Sequence, residues 1–286
     1  MTPQTAPSKY QSHRTGNDCL VLKLGGELLE KPADVIRIAR GVARLSQKSH
    51  VVLVHGGGKE IDYGLKRAGI QKLQVDGLRV TDARTLEVVV AVLSGTINTR
   101  LVAAVKKAGA KPVGLTGADA DVVTLKRAAA HKTTRGKLVK LGFVGVPVKN
   151  STSTLLTSLL AEGYTPIVAC IGTSQSGQLL NVNADTLAAH LAITLRARRL
   201  IIAGSTEGVL DDDGQTIGQI NCREAARLIR LGTVKAGMVA KLQACRTALD
   251  GGVTESLIVN GYKEKIERFW ATEKGLRKSR STQVLP

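Results

Sequence analysis

An aliphatic run that stops at a glycine turn and resumes as an amphipathic segment occurs twice in succession near the start of this chain. Residues 19–24 precede Gly25-Gly26, and residues 33–45 then carry apolar side chains at helical spacing. Residues 51–54 are wholly aliphatic, precede His55-Gly56-Gly57-Gly58 and lead into a second helix-like segment. Continuous apolar runs suit strands covered on both faces, and such strands belong to parallel sheets joined by crossover helices. The order therefore predicts an α/β fold around a mainly parallel sheet. At 286 residues, length leaves open one large α/β unit or two lobes.

Further along, Leu86, Val89, Val90, Leu93, Ile97, Leu101 and Val105 advance by three or four, which predicts a long helix over 85–107 with a buried stripe. Strands are expected at 113–115, 122–125, 142–148 and 166–171, with a helix at 154–161 between the last two. Residues 173–178 turn polar and suit a hairpin at a junction between lobes. Beyond them come a helix at 184–196, a strand at 200–203 and the turn Asp211-Asp212-Asp213-Gly214. Helices at 223–230 and 237–249 precede a final strand at 257–259. The expected division is a flexible N-terminal segment at 1–18, a first lobe at 19–173 and a second at 174–286.

Aromatic residues make up only 2% of the chain against 43% hydrophobic residues overall, so the core must be aliphatic. A formal charge of +18 admits nucleic acid, membrane surfaces or anionic metabolites as partners. The basic residues fall in short segments such as Lys106-Lys107, Lys126-Arg127, Arg196 to Arg199 and Arg277 to Arg280, which read as solvated helix ends, loops and a tail. A nucleic-acid-binding protein is the reading from another functional class. The scarcity of aromatics for base stacking and the lack of a concentrated basic motif argue against it. Cys19, Cys170, Cys222 and Cys245 have no two-residue spacing, which argues against structural zinc and a disulfide framework. Uninterrupted apolar runs such as 88–93 are too short for a bilayer, and residues 1–17 lack the apolar core of a signal peptide. A cytoplasmic location is the expectation.

Lys23 interrupts an apolar strand directly before a glycine turn. A buried lysine is costly unless it meets an anion, although an edge-strand lysine reaching solvent fits the same letters. Lys241 follows Gly237-Met238-Val239-Ala240 and also fits a solvated helix face. Asp185 follows Asn181-Val182-Asn183-Ala184; it fits a helix cap, or an anion that positions both lysines while the asparagine amides bind a polar substrate. The turns at Gly25-Gly26 and Gly56-Gly57-Gly58 can bring backbone N–H groups close to an anion, or serve only as tight turns. Arg79 offers a bidentate fork to a carboxylate, or sits on a surface hairpin. The spacing matches neither the dinucleotide fingerprint nor the P-loop. Two fixed cations beside glycine turns suit the holding of migrating phosphoryl charge.

Taken together, Lys23-Leu24-Gly25-Gly26, Val54-His55-Gly56-Gly57-Gly58, Gly77-Leu78-Arg79-Val80-Thr81, Leu180-Asn181-Val182-Asn183-Ala184-Asp185 and Gly237-Met238-Val239-Ala240-Lys241 resemble the motifs of the amino-acid kinase family, in its order. The resemblance is strongest to members that move the γ-phosphoryl of MgATP to the side-chain carboxylate of N-acetyl-L-glutamate in arginine biosynthesis. It implies an αβα sandwich, an amino-acid-substrate lobe at 19–173 with a dimerisation helix, and a nucleotide-binding lobe at 174–286. By this resemblance Lys23, Lys241 and Asp185 are catalytic. Gly57, Gly58, Arg79, Asn181 and Asn183 bind the amino-acid substrate; Gly25, Gly26, Ser205, Gly208 and Lys235 bind ATP, whose Mg2+ arrives with the nucleotide rather than at a separate protein metal site. A homodimer is implied, without nucleic-acid or membrane partners. A kinase acting on a carrier-linked aminoadipate in lysine biosynthesis is the alternative within the class, and the basic charge suits its acidic carrier. The chain departs from the pattern in the nucleotide-lobe turn Ala203-Gly204-Ser205-Thr206-Glu207-Gly208, where relatives often carry an aspartate, and at 272–278, so arginine feedback is not implied.

Overall fold

The computed structural model describes residues 19–133, 136–149, 153–211, 213–234, 236–263 and 281–286. Chain order runs β1 (Cys19–Leu24), α1 (Pro32–Ser46), β2 (His50–His55), α2 (Gly58–Arg67), β3 (Gln74–Val75), β4 (Leu78–Arg79), α3 (Ala83–Lys107), β5 (Pro112–Thr116) and β6 (Thr124–Arg127). It continues with β7 (His131–Lys132), β8 (Leu138–Val139), β9 (Val144–Pro147), α4 (Thr154–Ala161), β10 (Thr165–Ala169), β11 (Ile171–Ser174), β12 (Leu179–Val182) and α5 (Ala184–Thr194). Last come β13 (Arg199–Gly204), β14 (Gln219–Asn221), α6 (Cys222–Leu231), α7 (Ala236–Asp250), β15 (Glu255–Asn260) and β16 (Ser281–Leu285).

Eight strands form the main sheet in the order β14-β16-β15-β13-β1-β2-β10-β5. The six from β15 to β5 are parallel, whereas β16 pairs antiparallel with β15 and carries β14 with it. Helices α1 and α3 pack together, as do α5 and α7, and the sheet lies between the two pairs. Strands β6, β9, β11 and β12 close into a small barrel beside it. This is the αβα sandwich.

Strand β1 lies at the centre because its six residues are all buried, between β2 on one side and β13 on the other. Each fully buried Val or Leu contributes about 1.5–3 kcal/mol. The chain steps from β1 to β2 in one direction and later returns to β13 in the other. In open α/β sheets, ligand sites lie beyond the carboxyl ends of strands at such a reversal. Lys23 stands at that end of β1, and Gly56 and Ser205 follow the ends of β2 and β13.

Helix α3 buries Leu86, Val89, Leu93, Ile97, Leu101 and Val105, the expected stripe apart from half-buried Val90. Its middle, Ala91–Ile97, widens to π geometry, a feature often found at functional sites. Directly after it, Asn98 turns into the core: its Nδ2 donates to the Ile167 carbonyl at 2.9 Å and to His55 Nε2 at 3.1 Å. Gly114 makes room, since a Cβ there would stand 2.2 Å from Asn98 Oδ1.

Four readings from sequence are corrected. Arg199, grouped with solvated residues, is 2% exposed and its Nε donates to Glu255 Oε2 at 2.6 Å across β13 and β15. The strand expected at 122–125 is shifted to β6 because residues 119–121 form a 3-10 turn. The run at 166–171 divides at Cys170, with β10 in the main sheet and β11 in the barrel. By length and composition, α3 meets the dimensions of a bilayer span, which short apolar runs did not suggest. Its buried stripe packs into the protein core, and Arg100 on it donates to the Leu29 carbonyl at 2.7 Å. The segment 1–18, Asp212, Lys235 and residues 272–280 lie outside the described residues.

Candidate active site

Lys23 is 6% exposed on a central strand, which removes the edge-strand reading. Its Nζ stands 2.8 Å from Asp185 Oδ1, and Lys241 Nζ from α7 stands 3.7 Å from Asp185 Oδ2. Asp185 is not the cap of α5. Asn183 is, accepting from the Asp185 and Thr186 backbone N–H groups at 2.9 and 3.0 Å, so the Asp185 carboxylate is released to face the lysines.

The three charges set one another's protonation. Burial works to lower the Lys23 pKa, but the charge and hydrogen bond of Asp185, helped by Glu27, outweigh it and the net shift is upward. Burial works to raise Asp185, yet Lys23 and Lys241 hold it below the usual carboxylate range. Lys241 goes the other way: burial and the neighbouring Lys23 charge lower it despite Asp185 and Glu27. An anion entering beside Lys241 relieves that repulsion, which suits a cation that works on arriving phosphoryl charge.

The two glycine turns form one cradle. A Cβ on Gly26 would stand 2.7 Å from Gly57 Cα and 2.8 Å from Gly58 N, so the backbones touch there. The N–H groups of Gly26, Gly57 and Gly58 have no backbone partner among the described residues, whereas Gly25 N–H donates to the Ala203 carbonyl and Gly56 N–H to that of Leu24. Gly25 thus ties the cradle to β13 and leaves its N–H spent. Behind the cradle, buried His55 contacts the Gly56 carbonyl through Nδ1 at 3.2 Å and meets Asn98 through Nε2. Burial lowers its pKa to about 4, so it is neutral.

Two cavities lie beside this centre: Lys241 lines the larger, and the smaller adjoins the charges through Ala184 and Cys170 without being lined by any of them. One of about 190 Å³ is lined by Gly57, Gly58, Arg79, Cys170, Asn181 and Asn183. Arg79 reaches it from the β3–β4 hairpin, its side chain 8% exposed, with Nη2 donating to Asp62 Oδ1 at 2.5 Å and to the Gly58 carbonyl at 3.3 Å. Its Nη1 is buried and has no partner among the described residues, which leaves a donor for an anionic ligand. The other cavity, of about 530 Å³, is lined by Glu27, Ser205, Gly208, Gly237, Met238 and Lys241. Gly208 has φ +105°, and a Cβ there would meet Thr282 Oγ1 at 2.4 Å, so only glycine lets this loop close on β16. A further cavity of about 630 Å³, between β9 and helices α5 and α7, is lined by none of the residues singled out from sequence.

Of the residues singled out from sequence, Lys23, Asp185 and Lys241 come together; Gly26, Gly57, Gly58, Arg79, Asn181 and Asn183 gather on one side, Ser205 and Gly208 on the other. Sequence reasoning missed Glu27, His55 and Asn98. An acid directly after a glycine pair is a readable signal for Glu27, as is an asparagine beside the apolar stripe for Asn98. His55 reads as no more than the end of a strand.

The profile of the Amino acid kinase family matches residues 18–260. The chain is 40% identical to the acetylglutamate kinase of Bradyrhizobium diazoefficiens over 254 residues, covering 85% of this chain and 84% of that protein. It is 39% identical to the acetylglutamate kinase of Nitrobacter hamburgensis over 249 residues, covering 85% and 83%. Among solved structures, the N-acetylglutamate synthase of Neisseria gonorrhoeae superposes with TM-score 0.78 at 24% identity, over 94% of this chain; the match spans 59% of that longer protein. Carbamate kinase from Giardia superposes with TM-score 0.64 at 14% identity over 94% of this chain and 99% of its own. These two share the fold. A profile match across most of the sequence, together with relatives of this identity matched over more than four-fifths of their length, establishes that the chain belongs to the amino acid kinase family.

Proposed function

We propose that this protein is an acetylglutamate kinase, an ATP-dependent phosphotransferase that takes the side-chain carboxylate of N-acetyl-L-glutamate as acceptor. The observation that carries the proposal is the buried Lys23–Asp185 pair joined by Lys241 beside two cavities, one lined by Lys241 and the other by an arginine whose Nη1 has no partner among the described residues. A carboxylate oxygen attacks the γ-phosphorus, the bond to the β-phosphate bridging oxygen breaks, and ADP leaves with that electron pair. The nucleophile is already ionised, so no general base is needed; like-charge repulsion and alignment are the obstacles. Lys23 and Lys241 neutralise the migrating group, and Asp185 fixes their positions. The N–H groups of Gly26, Gly57 and Gly58 bind phosphoryl oxygens. Arg79, Asn181 and the Asn183 amide hold the amino-acid substrate, while Ser205 and Gly208 border the nucleotide, whose Mg2+ balances phosphate charge. On this proposal residues 19–173 form the amino-acid lobe and 174–286 the nucleotide lobe.

The same proposal includes a cytoplasmic homodimer paired through α3. Its outer face exposes Ala91, Gly95, Thr96, Thr99 and Ala103, small uncharged residues that let a second helix approach closely. Sedimentation of the wild type and of Gly95→Trp tests the pairing. The activity is tested by incubating purified protein with MgATP and N-acetylglutamate and trapping the acyl phosphate with hydroxylamine. Ligand binding without any trapped product overturns the assignment.

A further inference from the structure

Glu27 is an acid inside the cavity assigned above to an anionic nucleotide, and its surroundings are built around its carboxylate. Oε1 accepts from Ser205 N–H at 3.1 Å, while Oε2 has no hydrogen-bond partner among the described residues. Two glycines clear the space. A Cβ on Gly25 would stand 2.5 Å from both carboxylate oxygens, and one on Gly204 would stand 3.2 Å from Oε1 and 3.4 Å from Lys241 Cε. The backbone on each side is held as well: Tyr262 OH donates to the Glu27 carbonyl at 2.5 Å and Asn260 Nδ2 to the Ser205 carbonyl at 3.1 Å.

A carboxylate fixed in a phosphate pocket repels the polyphosphate unless a cation lies between them. Glu207, in the loop after β13, is paired with Lys263, and Asp185 is engaged by two lysines; Glu27 makes no ion pair among the described residues and feels Lys23 and Lys241 only through their charge. Among the described residues no group of three or more His, Cys, Asp or Glu forms a metal cage. One carboxylate plus phosphate oxygens and water is the donor set that magnesium accepts.

We propose that Glu27 is the protein ligand for the divalent cation carried by the nucleotide, its free Oε2 holding the metal against the polyphosphate while Oε1 stays on Ser205. This rests on the kinase reading of the larger cavity. In this role Glu27 sets the metal dependence of nucleotide binding, and it does so before any phosphoryl transfer.

Calorimetric titration of ADP into the wild type, Glu27→Gln and Glu27→Asp, each with Mg2+ and with EDTA, tests the assignment. Gln keeps an acceptor for Ser205 N–H and loses only the charge. The expected result is that Glu27→Gln weakens Mg-ADP binding tenfold or more while metal-free ADP binds as tightly or more tightly, with Glu27→Asp between the two. With Mn2+ in place of Mg2+, the electron paramagnetic resonance spectrum of the bound Mn-ADP changes in Glu27→Gln. If Glu27→Gln binds Mg-ADP as the wild type does, or gains equally with and without metal, the metal-ligand role is overturned and Glu27 is a brace or a phosphate stand-in. If the wild type binds no nucleotide under any condition, the kinase reading falls first and this inference with it.

Discussion

Lys23, near the end of the central strand β1, and Asp185, in the first turn of α5, meet at 2.8 Å with each side chain 7% exposed. Removing one partner of such a buried pair leaves an uncompensated charge and costs about 3–5 kcal/mol. Asp185→Ala is therefore expected to lower unfolding stability by that order and, by releasing both lysines, to lower kcat by about 10²- to 10³-fold. Denaturant melts and steady-state kinetics check the two effects separately.

Lys241 carries less of the structure and more of the proposed chemistry. Lys241→Ala is expected to reduce kcat by about 10²- to 10³-fold, as for the loss of one preorganised donor. Because burial and Lys23 lower its pKa, activity in the wild type falls on an alkaline limb below the 10.5 of an ordinary lysine. Lys241→Arg moves that limb upward, since guanidinium keeps its proton. A pH profile that is identical in both proteins contradicts the assignment.

Arg79→Ala is expected to raise KM for the acceptor carboxylate by about 10- to 100-fold, the worth of a charge-assisted hydrogen bond, with a smaller change in kcat. Lysine is not expected to restore it, because only a planar fork can bond Asp62 and Gly58 through one nitrogen and keep Nη1 for the proposed acceptor. Initial-rate kinetics with varied acceptor decide the matter.

Gly26→Ala places a Cβ 2.7 Å from Gly57 Cα, against backbone that has no flexible end to yield. The two turns must separate, at a cost of about 1–3 kcal/mol in stability for overpacking. Activity is expected to fall by more than the melting temperature shift explains. Assay well below the melting temperature separates the two.

His55 is held neutral with a folded pKa of about 4 against 6.5 in the unfolded chain. Below 6.5 the unfolded state takes up a proton that the folded state refuses, so stability falls as pH drops from 6.5 toward 4. His55→Gln, which cannot titrate, is expected to flatten this slope by about one proton. Asp185 acts lower: its depressed pKa contributes stability that is present above 3.8 and is lost as pH falls through the folded value. Urea melts at a series of pH values report both.

Much of the architecture is legible because each element's signal is local. The aliphatic runs of β1 and β2 and the three-and-four spacing along α3 name strands and a helix without reference to the rest of the chain. The failures have equally physical causes. Arg199 looks solvated among Arg196 and Arg198, and only its register beside Glu255 on β15 makes burial tolerable. The run around Cys170 looks like one strand, and only the closure of the small barrel bends it into two.

The same division holds at the centre of the molecule. Periodicity and turn chemistry, encoded within short segments, determined the α/β class, the glycine turns and which residues could serve as cations and anions. That Lys23 is buried, that Asn183 and not Asp185 caps α5, and that Lys241 arrives at the same carboxylate were decided only by the tertiary structure. Parallel strands joined by crossover helices bring their carboxyl ends to one edge of a sheet, and no local pattern specifies which distant side chains meet there.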